Sequence, residues 1–359
     1  MTLSVSGDSI TFPDLSTLQT APSGFGFKNR IINGGMTVDQ RNAGASFTIT
    51  GGGASGYGAD RFRVFSATNA CAIQQSTTAP TGFINSNLFT QSGTGAVAAG
   101  DIGLITQRIE GYNIADLGWG TATAKTITIS FWVRSSLTGT FGFTLLNGAQ
   151  NRRFTTSYTI SSVNTFEYKT ITIPGDTSGT WATDNGVGVG LYWDVGSGTT
   201  YSSAAGSVWG TGTTYGLTGG TKVCATTGAT FFLTGVQLEK GSTATAFDYR
   251  DYGRELIMCQ RYFEYRTGQI AATYTNVAGT HIRSTQIVFS VEKRTAPTVA
   301  FIGTSEYIAG GAGGVDFTPS TIYLNKSGFS VYAAINISPG LLALGYTGTR
   351  AGVTASAEL

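Results

Sequence analysis

The sequence is poor in charged residues, since Asp, Glu, Lys and Arg make up 12% of the 359 residues, about half the usual share. The formal net charge is +2, and the basic residues are spread without runs. Because phosphate recognition needs clustered lysines and arginines, we expect no nucleic-acid binding. No apolar run is long enough to span a bilayer, so we also expect no membrane insertion.

Residues that commonly act in catalysis or metal binding, such as cysteine and histidine, are also scarce. The three cysteines, Cys71, Cys224 and Cys259, have no C-x-x-C spacing, which predicts free and mostly buried thiols. The single histidine, His281, has no second metal ligand nearby in the sequence, so a rim position is favoured over catalysis. There is no P-loop and no G-x-S-x-G elbow. The N-terminus lacks a secretory pattern, so we expect synthesis in a reducing cytoplasm.

Glycine and aromatic residues are abundant by contrast. The chain has 51 glycines, and Phe, Trp and Tyr make up 12% of it. Aromatics at this level argue against disorder, because they supply side chains that can be buried. Much Gly and Thr with few Lys and Glu disfavours helices in general. The composition therefore predicts many short strands joined by tight turns.

The region 43–248 is predicted to consist of successive β-strands. The predicted strands are 61–65, 71–75, 103–111, 126–136, 141–146, 166–173, 186–193 and 229–238. In the clearest of them, 126–136, the residues Ile127, Ile129, Phe131 and Val133 share one face. With no helices between them, such strands predict antiparallel sheets packed face to face, and we expect a jelly-roll-like β-sandwich.

Alternation in the last of these strands predicts two faces. One face carries Phe232, Val236 and Leu238, and the other carries Phe231, Leu233 and Gln237.

A single helix is predicted after this strand. Steps of four, three and four place the apolar residues Tyr252, Leu256, Cys259 and Phe263 in one stripe. Asp251 near its start and Arg261 and Arg266 near its end suit the helix dipole.

The predicted fold is therefore all-β with four parts. These are a short N-terminal attachment and trimerisation segment at 1–42, the sandwich at 43–248, a connecting helix at 249–266 and a small C-terminal β domain at 267–359.

Several segments resemble tail-fibre and receptor-binding proteins of tailed bacteriophages. The run VQLEKGSTATAFDYRDYGRELIMCQRYFE at 236–264 resembles the junction that follows a carbohydrate-binding-module-like β-sandwich in those proteins. The same family is suggested by ITFPDLSTLQTA at 10–21, NRIINGGMTVDQRN at 29–42, the RTAP turn at 294–297 and the TASAEL ending. In the first of these, Leu15 stands where the family often has Gly.

The resemblance implies a homotrimer in the virion tail that is assembled in the host cytoplasm. It also implies attachment to a tail or baseplate protein through the N-terminal segment, and non-catalytic binding of host cell-surface polysaccharide.

Aromatic residues in a Gly-, Ser- and Thr-rich stretch point to sugar binding. Flat rings pack on the C–H faces of sugars, while short polar side chains hydrogen-bond their hydroxyls. The predicted glycan-binding residues are Trp181, Asp184, Asn185, Trp193, Tyr201, Trp209 and Tyr215. A structural role for these aromatic residues remains an open alternative to sugar binding. In that case, one of Tyr192 and Trp193 belongs to the core, and Trp209 plugs a loop or a trimer seam. Trp132 on the non-core face of its strand could belong to the same surface or to a subunit interface.

Two other functions are compatible with the sequence. A glycan-cleaving tailspike would need two facing carboxylates, for which Asp176, Asp184, Asp194 and Glu110 are the candidates, although acidic residues at strand ends usually cap turns. A capsid-decoration or baseplate protein would need no sugar ligand. We expect no cofactor. Asp60, Glu239 and Asp248 could hold a structural Ca²⁺, but a capping role is favoured.

Overall fold

The computed structural model is an all-β protein with one α-helix in the part of the chain that it describes, which confirms the predicted fold class. It describes residues 4–6, 9–11, 17–19, 28–66, 70–267, 270–271, 274–277, 281–284, 286–309, 315–317, 320–334 and 342–359. The side chains described are those of residues 28–66, 70–267, 286–302, 321, 323–331 and 353–359. Residues 1–3, 7–8, 12–16 and 20–27 of the predicted N-terminal segment lie outside the described residues, and so does the side chain of His281.

Eighteen strands precede the helix in the described part of the chain. They are β1 Ser4–Ser6, β2 Ser9–Thr11, β3 Thr17–Gln19, β4 Phe47–Ile49, β5 Ala54–Tyr57, β6 Arg63–Ser66, β7 Cys71–Ser76, β8 Ser86–Gln91, β9 Gly103–Glu110, β10 Ile127–Ser135, β11 Gly139–Asn147, β12 Arg152–Ile160, β13 Glu167–Ile173, β14 Val187–Asp194, β15 Ser202–Ser203, β16 Gly210–Thr211, β17 Gly216–Leu217 and β18 Thr230–Lys240. Short 3₁₀ turns lie at Gly111–Asn113, Ala115–Leu117, Thr199–Tyr201 and Val223–Ala225.

Two antiparallel sheets form the sandwich. The six-stranded sheet has the order β13-β10-β18-β8-β7-β4, and the seven-stranded sheet has the order β16-β12-β11-β14-β9-β6-β5. Both sheets place strands that are distant in sequence side by side, as a sandwich with Greek-key-like connections does. All eight predicted strands are present with bounds that differ by a few residues, whereas β4, β5, β8, β12 and β16 of the two sheets were not predicted.

The main core lies between the two sheets and follows the predicted alternation of β10. The side chains of Ile127, Ile129, Phe131 and Val133 are all fully buried there. The seven-stranded sheet contributes the opposing layer, including Phe143, Leu145, Leu191 and Trp193. Residues 28–38 also pack on the sandwich, because Ile31 and Met36 enter the same core and the Arg30 N–H donates to the Leu238 carbonyl.

The faces predicted for β18 are wrong, because a β-bulge interrupts its alternation. The pairing of β10 with β18 shifts register after Ser130, where Trp132 pairs with Thr234. Gly235 occupies the bulge with a φ of +59°, a conformation that glycine adopts without strain. The extra residue moves Phe231 and Leu233 to the same side of the strand as the core residues Val236 and Leu238.

The predicted helix exists but is shorter than its apolar stripe. Helix α1 covers Tyr252–Gln260, and Asp251 caps it by accepting a hydrogen bond from the Arg254 N–H. The stripe is wrong at both ends, since Tyr252 is 60% exposed and Phe263 begins the next strand. The buried face instead carries Cys259 and Glu255, whose carboxylate accepts from the Asn33 N–H.

The C-terminal region forms two further small sheets in the described part of the chain. Its strands are β19 Phe263–Thr267, β20 Ile270–Ala271, β21 Tyr274–Val277, β22 His281–Ser284, β23 Ile287–Val288, β24 Thr298–Ala309, β25 Val315–Phe317, β26 Ser320–Ile322, β27 Gly328–Ala334 and β28 Leu342–Ser356. Charged contacts join this region to the sandwich. Glu358 pairs with Arg41 and Arg61, and Arg261 pairs with Glu110.

The three cysteines are free and buried, as predicted. No described helix is both long enough and apolar enough to cross a membrane.

Candidate functional site

The seven residues predicted to bind glycans do not form one site. Trp193 is in the core, Trp181 and Trp209 share a tryptophan cluster, Asp184 and Asn185 lie in one turn, and Tyr201 and Tyr215 belong to a tyrosine cluster. The surroundings of these four groups differ. The tyrosine cluster borders an open groove.

Trp193 is excluded from ligand contact by its burial. Its side chain is 0% exposed and packs against Phe131, Phe143 and Phe62 between the two sheets. The open choice between Tyr192 and Trp193 is thereby decided, because neighbouring residues of a strand point to opposite faces. Tyr192 therefore lies on the outer face of the seven-stranded sheet.

The tryptophan cluster consists of Trp119, Trp181 and Trp209, whose ring centroids lie 4.6 to 5.4 Å apart in edge-to-face pairs. Each indole N–H donates to a backbone carbonyl, that of Lys125, Ser178 and Pro174 respectively. Trp181 is only 7% exposed, and Trp209 packs against the main core. This arrangement matches the alternative in which Trp209 plugs a loop. The cluster closes loops and presents no free ring face at Trp181.

Asp184 and Asn185 are engaged by protein groups. The Asp184 carboxylate accepts from the Gly186 N–H within the turn. The Asn185 side-chain amide donates to the Arg294 carbonyl, and the Arg294 guanidinium donates back to the Asn185 carbonyl. Asn185 thus joins the sandwich to the C-terminal region, and the structure does not place it beside the aromatic residues of the tyrosine cluster.

The tyrosine cluster comprises Tyr192, Tyr201 and Tyr215. Centroid distances are 5.2 Å from Tyr192 to Tyr215 and 6.1 Å from Tyr201 to Tyr215. The Tyr215 hydroxyl donates to the Gln150 side-chain oxygen, and burial raises the pKa of Tyr215. A small apolar cluster of Leu104, Leu146 and Tyr192, with Ile102 and Tyr215 at its edge, underlies these rings.

Asp194 holds the loop that carries Tyr201 and Tyr215. Its buried carboxylate accepts from the backbone N–H groups of Gly196, Ser197 and Leu217 and pairs with Lys222. A carboxylate that accepts several backbone N–H groups fixes the path of a loop. The polar stretch 196–217 is therefore anchored at the end of β14, directly over the outer face of the seven-stranded sheet.

The groove lies beside this loop on the same face, with a volume of about 130 Å³. It is lined by Arg63, Phe65, Ile102, Leu104, Thr106, Arg108, Tyr192 and Tyr215. Strand pairing explains the arrangement, because Arg63 on β6 pairs with Thr106 on β9, and Thr106 pairs with Tyr192 on β14. Side chains that face each other across paired strands and share a face lie about 5 Å apart.

Glycine at position 190 shapes the floor of the groove. A Cβ at Gly190 would lie 2.6 Å from the Tyr192 hydroxyl oxygen, so only glycine lets the tyrosine ring lie along its own strand. Gly190 pairs with Arg108 on β9. The Tyr192 hydroxyl is thereby directed toward the arginine end of the groove.

The polar groups of the groove are incompletely satisfied. Thr106 is 4% exposed, and its hydroxyl has no hydrogen-bond partner in the described part of the chain. Arg63 donates to the Ser55 hydroxyl at 3.0 Å, and Arg108 donates to the main-chain oxygen of Leu359 at 3.3 Å. Neither arginine pairs with a carboxylate side chain of the described residues, whereas the neighbouring Arg61 pairs with Glu358.

Seven of the eight groove residues were not among the predicted glycan-binding residues, namely Arg63, Phe65, Ile102, Leu104, Thr106, Arg108 and Tyr192. A signal was available in β9, where Thr106 and Arg108 alternate with the core residues Ile105 and Ile109. That alternation marks one outward face of the strand. It cannot show that Tyr192 and Arg63 come from the neighbouring strands.

The four carboxylates considered for hydrolysis each have a separate partner. Asp176 forms two hydrogen bonds with Arg152, Asp194 pairs with Lys222, and Asp184 caps its turn. Burial acts to raise the pKa of Glu110, but hydrogen bonds from Arg261 and Tyr262 outweigh it and hold the pKa below its ordinary value.

The predicted calcium ligands do not come together. Among the described residues, no group of three His, Cys, Asp or Glu side chains could hold a metal ion. Asp60 is bound by Gln40 and Arg41, and Glu239 accepts from the backbone and hydroxyl of Thr245. These hydrogen bonds give Asp60 and Glu239 structural roles within the protein.

Comparison with known proteins gives no family assignment. No protein-family model matches the chain, and no curated protein matches it at a significant level. Among solved structures, the chain is similar to the enzymatically active domain of tailspike protein 4 from bacteriophage CBA120, with 12% identity and a TM-score of 0.30. That alignment covers 59% of this chain and 21% of the tailspike chain, so the protein spans about a fifth of the tailspike's length.

Two carbohydrate-binding modules are similar at the same level. A CBM22-1 xylan-binding domain from Paenibacillus barcinonensis has 10% identity and a TM-score of 0.27, covering 60% of this chain and 99% of its own. A family 11 module from Clostridium thermocellum has 14% identity and a TM-score of 0.26, covering 58% of this chain and 95% of its own. TM-scores in this range identify no family.

Proposed function

We propose that this protein binds glycans, without cleaving them, in the groove on the outer face of the seven-stranded sheet. The observation that carries the proposal is the row Arg63–Thr106–Tyr192, in which a buried hydroxyl without a described partner lies between an arginine and an aromatic ring. A buried polar group that lacks a partner costs about 1–3 kcal/mol, a cost that a ligand hydroxyl can remove.

The remaining groove residues suit the surface of a sugar. Tyr215 is half-buried at the edge of the groove and can pack against the C–H face of a pyranose ring. Arg63 and Arg108 supply donors, and the Thr106 hydroxyl can donate or accept. The volume of about 130 Å³ is below the ~300 Å³ at which small-molecule pockets typically begin. The groove therefore suits one part of a longer surface-exposed chain.

Binding is favoured over cleavage by the lining of the groove. None of the eight described residues that line it carries a carboxylate, while glycoside hydrolysis ordinarily uses two carboxylates that flank the scissile bond. Asp194, the acidic residue nearest in sequence to Tyr192 and Trp193, is committed to the loop and Lys222. These contacts support a role in recognition.

The biological role that we propose is host attachment by a phage tail fibre. It is supported by the resemblance of residues 236–264 and of the flanking motifs to tail-fibre and receptor-binding proteins. In this role, three identical chains attach to the tail through the N-terminal segment and bind host cell-surface polysaccharide. Three weak sites per fibre give firm attachment, because linked sites raise the effective concentration of the ligand.

A glycan array with matched variants tests the binding site. Wild-type protein is compared with Tyr215→Ala and with Tyr168→Ala, which removes a partly exposed tyrosine from the outer face of the other sheet. We expect wild-type binding to be lost in Tyr215→Ala and retained in Tyr168→Ala. Loss in Tyr168→Ala alone would move the site to the six-stranded sheet. Binding to no glycan by a folded wild-type protein would favour the capsid-decoration or baseplate alternative.

A further inference from the structure

Two arginines stand at one end of the groove without an acidic partner among the described side chains. Arg63 and Thr106 face each other across paired strands, and Arg108 lies two residues further along β9 on the same face. The groove-lining residues thus contribute two positive charges and no negative charge. Nearby, Arg41 and Arg61 share the carboxylate of Glu358. Glu358 also lines a small adjoining cavity with Arg63 and Arg108, but its carboxylate oxygens are paired with Arg41 and Arg61. The positive charges without a paired carboxylate side chain among the described residues are therefore those of Arg63 and Arg108.

Both arginines are nonetheless held in position. Arg63 is fixed by the Ser55 hydroxyl and lies over the Phe65 ring at 5.5 Å, and Arg108 is fixed by a main-chain oxygen of Leu359. The partners of Arg63 are uncharged, so they orient its guanidinium without neutralising it. An arginine that is already oriented loses less side-chain entropy when it binds a planar anion.

We infer that the groove recognises an acidic glycan, with the carboxylate of a sugar residue bound by Arg63 and Arg108 and the ring packed on Tyr215. This inference rests on the proposed function and specifies its ligand class. Planar carboxylates accept two parallel hydrogen bonds from a guanidinium, a geometry that a neutral hydroxyl cannot reproduce. The Thr106 hydroxyl lies between Arg63 and Tyr192 and can donate to the same carboxylate or to a neighbouring ring hydroxyl.

The test uses acidic glycans and their neutral counterparts. One pair is tetragalacturonate and its carboxyl-reduced form, and a second pair is sialyllactose and lactose, spotted beside the wider glycan array. Dissociation constants are measured for wild-type protein, Arg63→Gln and the control Arg153→Gln. Arg153 lies on β12 on the same sheet face and does not line the groove, so its replacement removes the same charge elsewhere.

We expect wild-type protein to prefer the acidic member of at least one pair. Arg63→Gln should weaken acidic-glycan binding roughly ten- to hundredfold, as expected for a lost hydrogen bond to a charged group. Its affinity for the neutral partner should change little, and Arg153→Gln should resemble wild type. Raising NaCl from ~0.05 M to ~0.5 M should reduce the acidic preference.

The outcomes separate this inference from the proposed function. Binding only to neutral glycans, or an unchanged acidic preference in Arg63→Gln, would overturn the acidic-ligand inference while leaving glycan binding intact. Equal losses in Arg63→Gln and Arg153→Gln would also overturn it, because they would indicate a general effect of surface charge. Glycan binding that survives Tyr215→Ala would overturn the location of the site itself.

Discussion

The two aromatic clusters of the sandwich use similar residues for different purposes. In the tryptophan cluster of Trp119, Trp181 and Trp209, every indole N–H donates to a backbone carbonyl, and the rings pack edge to face. In the tyrosine cluster, the rings lie on the outer face of the seven-stranded sheet beside a groove. The indole N–H groups of the tryptophan cluster are therefore all hydrogen-bonded within the protein. The tyrosine cluster instead borders the buried Thr106 hydroxyl, which has no hydrogen-bond partner among the described residues.

The two clusters also differ in whether the neighbouring arginine is paired with a carboxylate. Next to the tryptophan cluster, Arg152 donates two hydrogen bonds to the carboxylate of the buried Asp176. Gly179 leaves space for the Arg152 side chain, which a Cβ at that position would contact. Next to the tyrosine cluster, Arg63 has no carboxylate partner among the described residues. A region with balanced charges and hydrogen bonds is built for stability, whereas an unbalanced one can gain free energy from a ligand.

The largest effect is expected for Trp181→Ala in the tryptophan cluster. Removing a large buried aromatic side chain typically costs about 3–5 kcal/mol, because the cavity left behind does not fully collapse. We expect a loss of this size in the free energy of unfolding, measured by denaturant titration, with glycan affinity of the folded fraction unchanged. A stable variant that has lost glycan binding would place the ligand at the tryptophans.

The next largest effect is expected for Arg152→Met. Breaking a buried ion pair leaves an uncompensated charge and costs about 3–5 kcal/mol. We expect about 2–3 kcal/mol here, because Arg152 is itself partly exposed and water can reach Asp176 in the variant. The matched double variant Arg152→Met with Asp176→Leu should recover part of the loss. No recovery would mean that Arg152 acts by packing and not by charge.

The sequence predicts the inner layers of the sandwich well, because alternation is a local property. In β10, the identity of residues 127–133 alone indicates which side chains face the core. In β12 the signal is weak, since RRFTTSYTI buries Phe154 and Tyr158 among hydroxyl and basic residues. In β18 the alternation misleads, because the bulge at Gly235 depends on how β18 pairs with β10.

The candidate site is predicted only in part, because exposure depends on contacts between distant segments. From the sequence, Trp181 and Trp209 look like binding residues, but in the structure they pack on each other and on Trp119, which lies more than 60 positions before Trp181. Tyr215 was predicted, but Arg63, Thr106 and Tyr192 meet only through the order β6-β9-β14 in the sheet. No local pattern specifies that order.

A smaller effect is expected for Trp209→Phe, which keeps an aromatic ring and removes the indole N–H. The variant leaves the Pro174 carbonyl without its donor and opens a small gap beside Trp119. We expect a loss of about 1–2 kcal/mol in the free energy of unfolding and unchanged glycan binding. Lost glycan affinity with unchanged stability would restore the sequence-based assignment of Trp209 to the ligand site.

The smallest effect on stability is expected for Thr106→Val, which exchanges the hydroxyl of the groove for a methyl group of similar size. Because the Thr106 hydroxyl has no described partner, its removal breaks no hydrogen bond and spares a desolvation cost. We expect the free energy of unfolding to stay within ~0.5 kcal/mol of wild type or to rise slightly, while glycan affinity falls about fivefold to tenfold.

Thr144→Val is the matched control for Thr106→Val, because both threonines lie in the cross-strand row that contains Tyr192. The Thr144 hydroxyl donates to the Thr155 hydroxyl at 3.2 Å, so the control should lose about 1 kcal/mol of stability and retain glycan affinity. Denaturant titration and glycan binding measured on both variants separate the two roles. Equal destabilisation by the two substitutions would mean that the Thr106 hydroxyl already has a hydrogen-bond partner within the protein. That result would contradict its proposed role as a free group that binds a sugar.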